Sequence, residues 1–196
     1  MIVENIFGHN IYRIQCPDID LYKNTELTAS VNRVFELPEV KKFNSNRGSQ
    51  DGNGLTFVDH PYLSLEHLPG AAPLMKWIAS QMILNTDHTG VTFVRSWANR
   101  IFKDCTGILH NHHGYGHVDI TGILYVDVPD YGAELIFVRN GEIGKSHLDY
   151  ALGDRHYLQP KPGELILHDS AVFHTVGQHV VNMNRTVFVF DAVYNS

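Results

Sequence analysis

The sequence predicts an α+β protein, a double-stranded β-helix (jelly-roll) core with a helical and loopy N-terminal region packed on it, and three observations carry that prediction. Beyond residue 90, apolar residues alternate at period 2 in seven short runs, 91–102, 108–112, 120–128, 134–138, 164–168, 172–176 and 185–194. Turn formers punctuate the runs, among them Pro129, Gly132, Gly141, Pro162 and Gly177. Before residue 90 the period changes. Residues 71–85 place Leu74, Trp77, Ile78, Met82 and Ile83 on one side of a helix, the pattern of an element lying on a sheet.

The rest of the N-terminal part is irregular. Residues 10–15 read as a strand, 24–35 as a short helix, and 45–54 are dense in turn formers, so the first 70 residues are expected to wrap the core rather than build it. The 196 residues contain no repeat, low-complexity tract or linker. The chain therefore reads as one domain, with a supporting region at 1–90 and a jelly-roll core at 91–196.

Composition excludes several function classes. Lys and Arg total 15 against 21 Asp and Glu, a net charge of -6, which leaves no basic footprint for nucleic acid or an anionic membrane. A small-molecule or peptidyl partner is expected instead. Cys16 and Cys105 make neither a disulfide framework nor a zinc-binding pair. No apolar run approaches the roughly 18 residues of a membrane span, and Met1-Ile-Val-Glu-Asn5 lacks the basic start of a signal peptide. A reducing, cytoplasmic setting follows as the expectation.

Histidine is the abnormal residue: there are 13, and four of them, His110, His112, His113 and His117, fall within eight positions. At the end of a strand His110 and His112 point to the same face, and His174 lies between Val172 and Val176 in a later run. A single core histidine is usually only a hydrogen-bonded structural group. Three in these positions read as a metal-ligand set. His117-Val118-Asp119 supplies a His-x-Asp as well, and two histidines with one carboxylate leave the three open positions of a non-haem iron site. Asp119 shares the parity of Thr121, Ile123 and Tyr125, whereas His113 and His117 read as solvated or substrate-facing loop residues. Arg185 opens the last apolar run, where an inward guanidinium needs an anion. Its planar fork suits a dicarboxylic acid, and the bland alternative is an exposed arginine at the end of a turn.

Several short pieces, in order, carry a resemblance. They are Ser45 to Gln50, Ser96-Trp-Ala-Asn99, His110-x-His112, the stretch from Asp119 to Pro129, Gly163-Glu-Leu-Ile-Leu-His-Asp-Ser170, and the 11-residue interval from His174 to Arg185. Together they resemble the 2-oxoglutarate and Fe(II)-dependent oxygenases, in particular a small subfamily common in bacteria and tailed phages and akin to the prolyl hydroxylase branch. The resemblance implies Fe(II) at the end of the β-helix and 2-oxoglutarate chelating it. It also implies Arg185 on the cosubstrate's distal carboxylate, with Tyr125 beside it. The expected reaction is O2-dependent hydroxylation of a C–H bond in an amino-acid, prolyl, peptidyl or other small substrate, with succinate and CO2 formed. His110 and His174 are the expected first two ligands. Either His112, at the position of the usual carboxylate, or Asp119 completes the set. His110 lies 15 residues before Tyr125 and His117 only 8, which favours His110.

Three departures mark this chain: a longer loop between His112 and Asp119, His168-Asp169 where the subfamily has Phe-Pro, and Val187 where relatives often carry a hydroxyl. Phe137, Leu165, Leu167, Val172, Phe188 and Phe190 are expected to face inward and keep the site dry. A homodimer is allowed for. The rival readings are a cupin-like metalloenzyme without 2-oxoglutarate and a non-catalytic jelly-roll binding module, and neither calls for an arginine 11 residues after His174.

Overall fold

Thr25 starts the first helix by satisfying its free end. The Thr25 hydroxyl accepts the Thr28 N–H at 3.1 Å and the Thr28 hydroxyl accepts the Thr25 N–H at 2.9 Å, a reciprocal cap from which α1 (Glu26–Glu36) runs. It buries Leu27, Val31, Val34 and Phe35, and Pro38 then opens α2 (Pro38–Arg47). The computed structural model describes residues 1–23, 25–47, 54–60, 62–84, 86–113, 116–139 and 154–195. The expected turn at Gly141 and most of the 45–54 segment lie outside the described residues, and residues 45–47 continue α2. In α3 (Ala71–Ile83) the buried stripe is Leu74, Met75, Ile78 and Met82. Met75 thus takes the place expected for Trp77, which packs at the margin of the core.

The strands are β1 (Ile2–Ile6), β2 (His9–Gln15), β3 (Leu55–Thr56), β4 (Gly90–Ile101), β5 (Ile120–Asp127), β6 (Leu135–Val138), β7 (Arg155–Leu158), β8 (Glu164–Asp169), β9 (His174–Val176) and β10 (Arg185–Asn195). They form a seven-stranded sheet, β1-β2-β8-β5-β10-β4-β3, and a three-stranded sheet, β7-β6-β9. Two expectations change. First, β2 pairs with β8, so the first 70 residues add strands to the main sheet as well as covering it. Second, 108–112 is not a strand, since only His110 makes a bridge, to His174.

Register decides which side chains meet the site. The pairs Thr121↔His168, Ile123↔Ile166, Val187↔Tyr125 and Asp191↔Thr121 put these residues and Arg185 on one face of the large sheet. Leu124, Leu165, Leu167, Phe188 and Phe190 share the other face. Helices cover that second face: a Cβ at Gly122 would stand 3.0 Å from the Met82 methyl of α3, and the Arg100 guanidinium lies 4.9 Å over the Phe35 ring of α1. Leu165, Leu167, Phe188 and Phe190 therefore do not shield the site; Ile123, Ile166, Val187 and Val189 take that side. The reason is physical. β5 is buried at every position but the last, and strands buried on both faces read as continuous apolar runs whose parity sequence alone leaves open.

Gly163 opens β8 with φ +77°, and a Cβ there would run into the Tyr22 hydroxyl and the Gln15 side-chain amide. Gly163→Ala combines left-handed strain with overpacking and should cost at least about 2 kcal/mol. Thermal unfolding should show it as a fall of roughly 4–8 °C in Tm.

Candidate active site

Three histidines gather over the inner face of the large sheet, His174 from β9 and His110 and His112 from the segment bridged to it. His110 and His174 exchange backbone hydrogen bonds at 3.0 and 2.9 Å, and the His112 N–H donates to the Ser170 carbonyl at 2.8 Å. Ring centroids are 4.5 Å apart for His110 and His174, and 5.1 Å for His112 with either. One ring nitrogen from each lies within 4.8 Å of the others.

The second nitrogen of each ring explains which atom is offered. Nδ1 of His110 sits 3.0 Å from the Ile108 carbonyl, Nδ1 of His112 sits 2.6 Å from Asp191 Oδ1, and Nδ1 of His174 sits 3.1 Å from the Val172 carbonyl. These oxygens only accept, so the contacts assign the proton to Nδ1, and in the neutral ring the lone pair is then on Nε2. His112 Nε2 is buried with no hydrogen-bond partner. Burial, reinforced by the neighbouring histidines, holds His174 well below its ordinary pKa. Three imidazole nitrogens whose lone pairs converge on one point are a donor set for a divalent transition metal.

Two buried groups beside this trio were not singled out from sequence as site residues. His168 of β8 has its ring 4.7 Å from His174 and 6.4 Å from His112; its Nδ1 meets the Asp169 carbonyl and its Nε2 is buried without a partner. Burial lowers its pKa to about 4. Asp191 of β10 is fully buried. Its Oδ1 accepts from His112 Nδ1 and, at 2.9 Å, from the Thr121 hydroxyl, while Oδ2 accepts Arg95 Nε–H at 2.7 Å. Burial pushes the Asp191 carboxyl up, but His112, Arg95 and Thr121 outweigh it and hold the group below the usual value. The available signal was an aspartate inside the apolar run 185–194, which requires partners when buried.

Arg185 is 2% exposed. Its Nη2 donates to the Tyr125 hydroxyl at 3.3 Å and its guanidinium carbon lies 5.0 Å over the Tyr125 ring. Among the described residues that hydroxyl is its only polar side-chain partner, and Nε has none. Burial lowers the Arg185 pKa and raises that of Tyr125. Arg185, His110 and His112 line one cavity of about 150 Å³, with Trp97 and Asn99 from β4 and with Asn44, Thr56 and Asp59 from the N-terminal region.

Asp119 lies outside the three-histidine group. It stands one residue before β5, where its N–H extends the ladder to the Ala192 carbonyl at 3.0 Å and its carboxylate accepts the Tyr194 N–H at 2.8 Å. Its other oxygen is 3.3 Å from the ring of His117, whose side chain is 80% exposed. That backbone demand at the end of β10 draws the carboxylate away from the trio. His113 is exposed as well.

Comparison with known proteins adds a family match and a fold. Residues 95–191 match the profile of a family described as "Putative 2OG-Fe(II) oxygenase". A prolyl-4-hydroxylase from Pseudomonas putida is similar at 14% identity and TM-score 0.55, over 96% of this chain and 94% of its own. HygX from Streptomyces hygroscopicus, solved with nickel, 2-oxoglutarate and hygromycin B bound, is similar at 13% identity and TM-score 0.54, over 93% of this chain and 82% of its own. A 2OG-Fe(II) oxygenase family oxidoreductase from Burkholderia pseudomallei aligns at 16% identity and TM-score 0.50, over 64% of this chain and only 58% of its own. At these identities the likenesses show the fold alone, a jelly-roll core. No curated protein matches the chain.

Proposed function

We propose that the chain, whose residues 95–191 match the 2OG-Fe(II) oxygenase family, is a 2-oxoglutarate- and Fe(II)-dependent dioxygenase acting on a C–H bond. In this reading His110, His112 and His174 hold the iron through Nε2, and Arg185 takes the distal carboxylate of 2-oxoglutarate. Asp119 is left out of the ligand set. The observation that carries the reading is the state of Arg185, a buried guanidinium without a carboxylate among the described residues, opening on the cavity that His110 and His112 line. A buried unpaired ion costs several kcal/mol, and a dicarboxylate entering the cavity removes that cost.

When bound, Fe(II) and 2-oxoglutarate supply the oxidising chemistry, consuming O2, releasing succinate and CO2 and delivering an oxygen atom to the substrate. The chain's own part is orientation and dryness. The acceptors on the three Nδ1 atoms lock ring rotation, so the Nε2 atoms are aimed before metal arrives. The Tyr125 hydroxyl and ring hold the Arg185 fork in place. Ile123, Ile166, Val187 and Val189 remove water from the inner face. Asn44, Thr56 and Asp59 border the cavity from the N-terminal side and would meet the substrate. An amino-acid, prolyl or peptidyl substrate is favoured by fold-level analogy to the prolyl-4-hydroxylase.

Anaerobic titration with Fe(II), with and without 2-oxoglutarate, tests this. A weak visible charge-transfer band that requires both is the expected result. Iron bound with no band on adding the keto acid would overturn the cosubstrate assignment.

A further inference from the structure

The three ligands of that reading are all histidines, which leaves the site without the carboxylate that accompanies two histidines in open non-haem iron sites. We propose that Asp191 supplies that missing charge from one ring further out, acting through His112 as a positioning residue for the metal. The inference rests on the oxygenase reading and goes beyond it, because it concerns a residue that touches neither metal nor cosubstrate.

The geometry is that of a carboxylate behind an imidazole whose other nitrogen is buried and unpartnered. Asp191 Oδ1 meets His112 Nδ1 at 2.6 Å, the shortest of the three Nδ1 contacts and the only one to an ionisable oxygen. Proton density drawn toward the carboxylate makes Nε2 a more basic, more strongly bound donor. Every other contact of Asp191 serves to keep it ionised and still. The Thr121 hydroxyl takes the second lone pair of Oδ1, and Arg95 Nε–H takes Oδ2. Arg95 is itself shared, its Nη1 donating at 3.0 Å to Asp59 at the cavity wall. Trp97 closes the remaining side, its ring 5.7 Å from that of His112 at 20° and 5.0 Å under the Arg95 guanidinium.

A purely structural role would not need this residue type. A carbonyl oxygen suffices for His110 and His174, and an asparagine could accept the His112 N–H without placing an ionised group in a fully buried position. The chain uses a carboxylate only on the ring that stands at the family's usual carboxylate position.

The test measures Co(II) affinity of the metal-free protein from the metal's visible absorption, for the unaltered chain, Asp191→Asn and the double variant His112→Asp with Asp191→Asn. Asp191→Asn should bind Co(II) about 10- to 100-fold more weakly. The double variant moves the carboxylate back onto the metal and should recover affinity to within about threefold of the unaltered chain, which a lost buttress could not do. Asp191→Asn binding within threefold of the unaltered chain, or a double variant weaker than Asp191→Asn, would overturn the proposal. Failure of the unaltered chain to bind metal at all would overturn the oxygenase reading and this proposal with it.

Discussion

Removing the Arg185 charge will make the ligand-free protein more stable and cosubstrate binding much weaker, two effects of opposite sign from one residue. The double variant Arg185→Met with Tyr125→Phe is the cleaner form, because methionine alone would leave the buried Tyr125 hydroxyl unpaired at a cost of about 1–3 kcal/mol. In the free protein the guanidinium is buried with one weak 3.3 Å hydrogen bond and an unpartnered Nε. Replacing it by an apolar chain of similar length should gain about 1 kcal/mol or more, a rise of roughly 2–4 °C in Tm. With 2-oxoglutarate the sign reverses. Truncating one partner of a buried charged hydrogen-bond pair costs about 2–5 kcal/mol, so affinity should fall roughly 30-fold or more. The stabilisation that 2-oxoglutarate gives the unaltered protein should vanish with it. Thermal unfolding with and without the keto acid, in the presence of metal, reads both effects. A destabilised free variant would mean that Arg185 has a partner the cavity hides, and retained cosubstrate stabilisation would remove it from the binding site.

The parts of this molecule legible from sequence share a feature: each has a local cause. The amphipathic stripe of α3 and the strand-forming apolar runs of β4, β5 and β10 are properties of neighbouring residues. What sequence left open depends on register between distant strands. Ile166 and Leu165 in β8, like Val187 and Phe188 in β10, are apolar on opposite faces, and only the pairing Leu124↔Leu165 and the packing of α3 on Gly122 choose which of them face the site. Asp119 had the parity of an inward residue, but it sits one position before the strand begins, where the Tyr194 N–H competes for it. Asp191 and Arg95 are 96 positions apart, so nothing local announces their pairing. The two-residue β3 and the polar β7 give no periodic signal at all.

The buried imidazoles predict a steep acid dependence for the metal-free protein. An unfolded histidine titrates near 6.5, whereas burial lowers His168 to about 4 and His174 further in the same direction. Above about pH 6.5 both states are unprotonated at these rings and the full stability is present. As pH falls, the unfolded chain takes up protons that the native fold refuses, so each such ring removes about 1.4 kcal/mol per pH unit until its native pKa is passed. For His168 alone the loss reaches about 3 kcal/mol by pH 4, and His174 adds to it with the same sign. Asp191 extends the trend below the ordinary carboxylate range, since its lowered pKa contributes stability that is lost as it protonates. Urea unfolding of metal-free protein between pH 7 and 4.5 should show this fall. His168→Phe, whose ring would pack edge-on to His174 beside Phe137, should flatten the slope by about one proton. The same linkage ties stability to metal, because a ring that refuses a proton in the fold still offers its lone pair to a divalent cation. A profile flat from pH 7 to 5 would mean that these rings accept protons in the native state, and rings that do so could not be the preformed donors the site requires.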